Sequence, residues 1–209
     1  MSPLYDAILN GEAAAAAEAA RAAIADGTPP LVLVQEHMVP AMDEVGRRFE
    51  CEDYFVPELL ISARAMKAAL GVVGPLLVES GAPSAGRVVI GTVKGDLHDI
   101  GKNLVASMLE GGGFQVFDLG VDVPAAKFVA EAGARQADLV CLSSLLTVTM
   151  PAMKATVDAF GAAGARSQTK IMVGGAPVTQ RFADEIGADG YGESAAAAVA
   201  VARRLVASK

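Results

Sequence analysis

Two kinds of hydrophobic patterning divide this chain. Up to about residue 80, apolar positions recur at helical spacing; from Arg87 onward, short apolar runs alternate with helix-like segments. In the first part, Ser2-Pro3 reads as an N-cap with proline at the first helical position, opening a short helix that ends near Asn10-Gly11. An alanine-rich helix follows from Glu12 to Ala25 and stops at Asp26-Gly27. Thr28-Pro29-Pro30 starts a third helix reaching about Phe49, with Pro40 inside it predicting a kink. Tyr54-Phe55-Val56-Pro57 opens a fourth, with Leu59, Leu60, Ala63, Met66, Ala69 and Leu70 on or near one face. Four helices with short connections predict a small antiparallel bundle.

After a Gly/Pro/Ser stretch, Gly81 to Gly86, the period changes. Strands are expected at Val88–Val93, Gln115–Leu119, Leu139–Ser143 and Lys170–Val173, with a weak one at Gly190–Tyr191. Helices are expected at Lys102–Glu110, Ala125–Arg135, Met150–Phe160, Arg181–Ile186 and Ala195–Ala207. Strict alternation of this kind predicts a parallel sheet covered on both faces, a flavodoxin-like α/β domain with strand order 2-1-3-4-5. The expected division is a helical domain over 1–82, a linker at 83–86 and the α/β domain over 87–209.

Composition narrows the classes. The chain has 209 residues, 53% of them apolar, enough for a core and against disorder. Net charge is −7, tryptophan is absent and no basic run exceeds two residues, which argues against nucleic-acid binding. The two cysteines, Cys51 and Cys141, lack metal-type spacing and are expected as thiols in a reducing compartment. No apolar run of about 18 residues stands out as a membrane span, and no signal peptide is evident. The expectation is a soluble cytoplasmic protein that binds neither nucleic acid nor membrane.

The chemistry concentrates in Gly95-Asp96-Leu97-His98-Asp99-Ile100-Gly101, between the first predicted strand and the helix after it. A histidine there stands at the carboxyl end of a strand, where open α/β sheets bind ligands. Asp96, two positions earlier, can accept the Nδ1 proton and leave Nε2 for a metal. The plainer alternative is an exposed histidine at a helix start, with Asp99 favouring the positive end of the helix dipole. After strand three, Ser143-Ser144-Leu145-Leu146-Thr147-Val148-Thr149 offers hydroxyls that cap the next helix, bond to a nucleotide tail, or extend the Asp96–His98 chain. Gly174-Gly175 is either a turn or a place where backbone approaches a ligand. Asp118-Leu119-Gly120 and Asp122-Val123-Pro124 form the second strand–helix loop and border the site.

These segments together resemble the cobalamin module of methionine synthase and the small corrinoid proteins of methylamine and O-demethylase methyltransferase systems. Tyr54 to Leu60 and Ala63 to Lys67 resemble the helical cap of those proteins, so the likeness spans nearly the whole chain. It implies cobalamin bound base-off with His98 as the lower cobalt ligand and methylcobalamin as the loaded state. Asp96 would be the partner of His98 and Thr149 the third member of the ligand chain, in place of a serine. Gly95, Leu97, Asp99, Ile100, Gly101, Ser143, Leu145, Thr147, Gly174 and Gly175 would line the cofactor. Phe55 and Met66 would join them from the cap, with Phe55 over the upper face.

The implied function is a methyl carrier between a substrate-specific methyltransferase and an acceptor methyltransferase using tetrahydrofolate or a thiol, with a reductive activase as third partner. The cap would swing aside on a hinge at residues 81–86. The rival readings are an adenosylcobalamin mutase small subunit and a cobalamin-dependent regulatory sensor module. The four-helix segment weighs against the first. The lack of a DNA-binding segment or basic face weighs against the second.

Overall fold

The structure, a computed structural model, describes residues 2–80 and 85–208. The expected linker at 83–86 and the expected hinge at 81–86 fall partly outside the described residues. The chain forms two compact units. One is Met1–Ser84 with Glu110–Gly113; the other is Ala85–Leu109 with Phe114–Lys209.

The helical unit opens with α1, Pro3–Leu9, whose Tyr5 N–H donates to the Ser2 hydroxyl at 3.3 Å. Helix α2, Ala13–Ala25, buries Ala16 and Ala20, and α5, Val56–Ser80, packs along it. The third expected helix is continuous but not uniform: α3, Pro30–Val32, a π-helical segment, Leu33–Met38, then α4, Val39–Glu50. Pro40 was expected to kink this rod. Instead the turn before it widens, and Val39 N–H donates five residues back to Val34 O. A proline ring needs room against the preceding turn, and a π-bulge supplies it.

Helix α5 changes one expectation. Its segment Val56–Leu77 is long and apolar enough, by composition, to cross a membrane. It nevertheless carries Arg64 and Lys67 and buries Leu59, Ser62, Ala65, Met66, Ala69 and Val73, and it packs on α2 and α4, as a core helix of the bundle does.

The α/β unit is a five-stranded parallel sheet in the order β2-β1-β3-β4-β5, as expected. Its strands are β1 Arg87–Thr92, β2 Gln115–Asp118, β3 Leu139–Ser143, β4 Lys170–Gly174 and β5 Gly190–Gly192. Its helices are α6 Ile100–Gly111, α7 Ala125–Arg135, α8 Met150–Ala162, α9 Gln180–Ile186 and α10 Ala195–Ala207. Alternate strand residues split between the faces. Val89, Val140 and Ile171 join Phe128, Met153 and Phe160 from α7 and α8 in one fully buried core. Ile90, Cys141 and Met172 face the other side, towards α6 and α10.

Glycine in the strands answers to the helices above them. A side chain at Gly91 would meet the Phe128 ring at 2.9 Å, and one at Gly190 would meet Val201 at 2.8 Å. The register pairs Thr92 with Ser143, Ser143 with Gly174 and Gly174 with Gly192. The loops leaving four strands therefore emerge abreast on one edge.

Candidate functional site

The loop after β1 folds back over the end of its own strand. Gly95 takes a φ of +87°, Asp96 N–H donates to Val93 O at 3.1 Å, and the Thr92 hydroxyl donates to His98 O at 2.8 Å. These bonds turn the Asp96 side chain inward, where it is 1% exposed. Its Oδ1 accepts from His98 Nδ1 at 2.7 Å. Its Oδ2 accepts from the Thr149 hydroxyl at 2.7 Å and from Leu145 N–H at 2.8 Å, with Leu146 N–H at 3.3 Å and the Ser144 hydroxyl at 3.4 Å.

Burial alone would raise the Asp96 pKa. The bonds from the His98 ring, the Thr149 hydroxyl and the backbone N–H groups of Leu145 and His98 outweigh it and hold the carboxyl well below the usual carboxylate range. An ionised carboxylate only accepts, so His98 Nδ1 donates to it and Nε2 is the ring nitrogen left to face other partners. Ser143 Oγ lies 2.9 Å from Nε2 and shares a hydrogen bond with it. Buried Ser144 and Thr149 share a hydrogen bond of 2.8 Å, and Thr149 Oγ1 also lies 2.8 Å from Leu146 O. The result is a chain of hydroxyl, carboxylate and imidazole whose last ring nitrogen lies beside a cavity.

That cavity has a volume of about 720 Å³ and lies between α6 and α10 over the Ile90, Cys141 and Met172 side chains. Gly174, Gly175 and Gly192 form part of its wall. Gly175, with φ +133°, is dictated by closeness: a Cβ there would stand 1.9 Å from Ser144 O. Gly101 also lines the cavity, and a Cβ there would meet nothing within 4 Å. Around the loops, Leu97, Ile100, Leu145, Leu146 and Val148 are exposed, an apolar rim on a polar network.

The structure thus brings His98, Asp96, Thr149 and Ser143 together, and sets Asp99, Ile100, Gly101, Leu145, Gly174 and Gly175 on the cavity wall. Gly95 and Leu97 lie on the same loop without lining the cavity, and Thr147 is exposed outside it. Phe55 and Met66 belong to the helical unit; Phe55 is exposed and Met66 buried.

Sequence reasoning gave no separate part to Ser144, whose side chain points to Asp96 rather than to a helix end. It missed Lys102, which is 2% exposed and bonded to Asp118 and Asn103. It also missed Tyr191 and Glu193 in the cavity wall. A lysine in a first helical turn gives no signal of burial, because its partner comes from a different strand.

Among the described residues no cluster of three His, Cys, Asp or Glu side chains could hold a bare metal ion. A lone imidazole beside a glycine-walled cavity suits a metal that arrives with its other donors already in place, attached to a bulky organic group. The residues present fit cobalamin in that sense.

Comparison with known proteins agrees. A B12 binding domain matches residues 86–200, and a second B12 binding domain matches residues 2–73. The trimethylamine corrinoid protein 1 of Methanosarcina acetivorans is 44% identical over 203 residues, covering 96% of this chain and 94% of that protein. The dimethylamine corrinoid protein of Methanosarcina barkeri is 42% identical over 179 residues, covering 85% and 84%. The methanol:cobalamin methyltransferase complex MtaBC of Methanosarcina barkeri contains a chain that superposes with a TM-score of 0.86 at 33% identity, covering 99% of this chain and 79% of that one.

Proposed function

Because this chain belongs to the family of B12-binding corrinoid proteins, we propose that it is the methyl carrier of a cobalamin-dependent methyltransferase system, with His98 as the protein's ligand to cobalt. Cobalamin is its cofactor, and the chemistry cobalamin supplies is to accept a methyl group from one partner and yield it to another. The observation that carries the reading is the Asp96–His98 bond of 2.7 Å, which holds Nδ1 and leaves Nε2 as the ring nitrogen beside the cavity.

The chain's residues have separable tasks. Asp96 fixes the tautomer and orientation of His98 and raises the basicity of Nε2. Thr149, with Ser144 beside it, holds the far oxygen of Asp96. A proton taken up by the His98–Asp96–Thr149 chain as a whole favours release of the ligand, so ligation is linked to pH. Ser143 occupies Nε2 when nothing else does. The glycine-walled cavity takes the nucleotide tail, with Gly174 and Gly175 clearing the wall. Gly95 and Leu97 shape the loop that carries the ligand.

The relatives are named for trimethylamine, dimethylamine and methanol systems, so the methyl donor is a methylated amine or alcohol read by the partner. A methyltransferase delivers the group, an acceptor methyltransferase passes it to tetrahydrofolate or a thiol, and a reductive activase restores the carrier, all in the cytoplasm.

The test is to load the protein with hydroxocobalamin, reduce it, and offer methylated amines or methanol with candidate methyltransferases. Loss of one donor and appearance of its methyl group on an acceptor thiol is expected. Selective binding of the adenosyl form, with no methyl passed from any donor, overturns the carrier role.

A further inference from the structure

The loop between β2 and α7 touches the His98 loop at points the site chemistry does not use. Its backbone is zipped to β1: Thr92 N–H donates to Gly120 O at 3.0 Å and Val123 N–H to Thr92 O at 2.9 Å. Between those rungs stands Asp122, a non-glycine residue with φ +53°. This conformation costs free energy for an L-residue, and aspartate tolerates it better than most.

What the conformation achieves is visible in its bonds. Asp122 N–H donates to Asp96 O at 2.9 Å. Asp122 Oδ1 accepts from Gly95 N–H at 2.8 Å, and Oδ2 from Lys94 Nζ at 2.9 Å. One residue thereby grips three consecutive positions, 94 to 96, just upstream of His98. Downstream, Asp118 of the same β2 end holds buried Lys102 in the first turn of α6.

We propose that Asp122 is a positioning residue for the cobalt ligand: it fixes the backbone of Gly95 and Asp96, and through Asp96 the direction in which His98 presents Nε2. This rests on the ligand role given to His98 above. The Lys94 pair is solvent-exposed on both sides and contributes little. The Gly95 and Asp96 bonds fix the loop, because they act on the backbone that carries Asp96. A further sign that Asp122 works as an anion is that Gly95 N–H and the Lys94 ammonium hold its carboxyl below the usual range.

The experiment compares Asp122→Ala, Asp122→Asn and Asp122→Gly by two readouts. The first is amide hydrogen exchange of Gly95 and residue 122 in the unloaded protein. The second is the share of cobalt(II) that shows axial nitrogen splitting after loading with cobalamin. Asn keeps the acceptor for Gly95 and the left-handed turn but loses the charge, so it should lie closer to wild type than to Ala in both. Ala loses both features and should exchange about tenfold faster at Gly95, the size expected for one lost hydrogen bond to a charged group, with a smaller nitrogen-bound share. Gly keeps the turn and lacks the side chain, so it should show the same faster exchange at Gly95 and replaces Ala in the test if Ala fails to fold.

Exchange at Gly95 unchanged in both Ala and Gly overturns the proposal. So does an equal loss of nitrogen splitting in Asn and Ala. Absence of splitting in wild type would refute the role of His98 as ligand; the exchange data would still decide whether Asp122 holds the loop.

Discussion

The loops after β1 and β3 and the loops after β4 and β5 emerge from one sheet edge and do opposite things. The first pair crowds Asp96, His98, Ser143, Ser144 and Thr149 into a network in which Asp96, Ser144 and Thr149 are buried. The second pair offers Gly174, Gly175, Ala176 and Gly192. Placing one lone pair requires many constraints on a few atoms, whereas accommodating a bulky tail requires their removal. The two meet where Gly175 crosses Ser144, so space on one side depends on order on the other.

Breaking that crossing should have the largest effect. Gly175→Ala forces a Cβ to 1.9 Å from Ser144 O in a left-handed conformation. A loss of about 3 kcal/mol is expected in urea unfolding of the unloaded protein. Next comes Asp96→Ala, which leaves the Leu145 N–H and the His98 Nδ1–H without their acceptor and should cost about 2 kcal/mol at neutral pH.

The same variant tests the acid limb. The folded pKa of Asp96 lies below its unfolded value, so its contribution is complete above the ordinary carboxylate pKa and is lost as pH falls through the folded one. Wild-type stability should therefore fall on acidification, and Asp96→Ala should fall less steeply, in unfolding midpoints taken across the acid range.

Thr149→Val removes one hydroxyl from the network and should cost about 1 kcal/mol, with Thr149→Ser near wild type in the same assay. The smallest stability effect sharpens the contrast from the other side. Gly101→Ala meets nothing within 4 Å and sits in a helix, so it should stabilise the unloaded protein by about 0.5–1 kcal/mol. Its affinity for cobalamin, measured by titration, should nonetheless fall, because the proposed placement of the cofactor fills the cavity that Gly101 lines.

Much of this was legible from residues alone, and the reason differs by region. The order 2-1-3-4-5 followed from strict alternation of strands and helices, and α7 and α10 fall on their expected bounds. The Asp96–His98 pair was readable because both members lie in one loop, two positions apart.

Strand β5 looked weak because Gly190 and Gly192 are chosen for the close approach of α10, not for strand propensity. Ser143 and Ser144 are indistinguishable as adjacent serines; only the turn after β3 sends one to His98 Nε2 and the other to Asp96. Lys102 went unnoticed because its burial depends on Asp118, a partner sixteen residues away. The widened turn ahead of Pro40 was read as a kink, since sequence shows the lost donor but not how the backbone absorbs it.

The most direct test of the central claim is the cobalt(II) EPR spectrum of the cobalamin-loaded protein, recorded for wild type and His98→Ala. Superhyperfine splitting from a single axial nitrogen in wild type, abolished in the variant, is the predicted result. Splitting that persists without His98 would contradict the assignment of Nε2 as the ligand to cobalt.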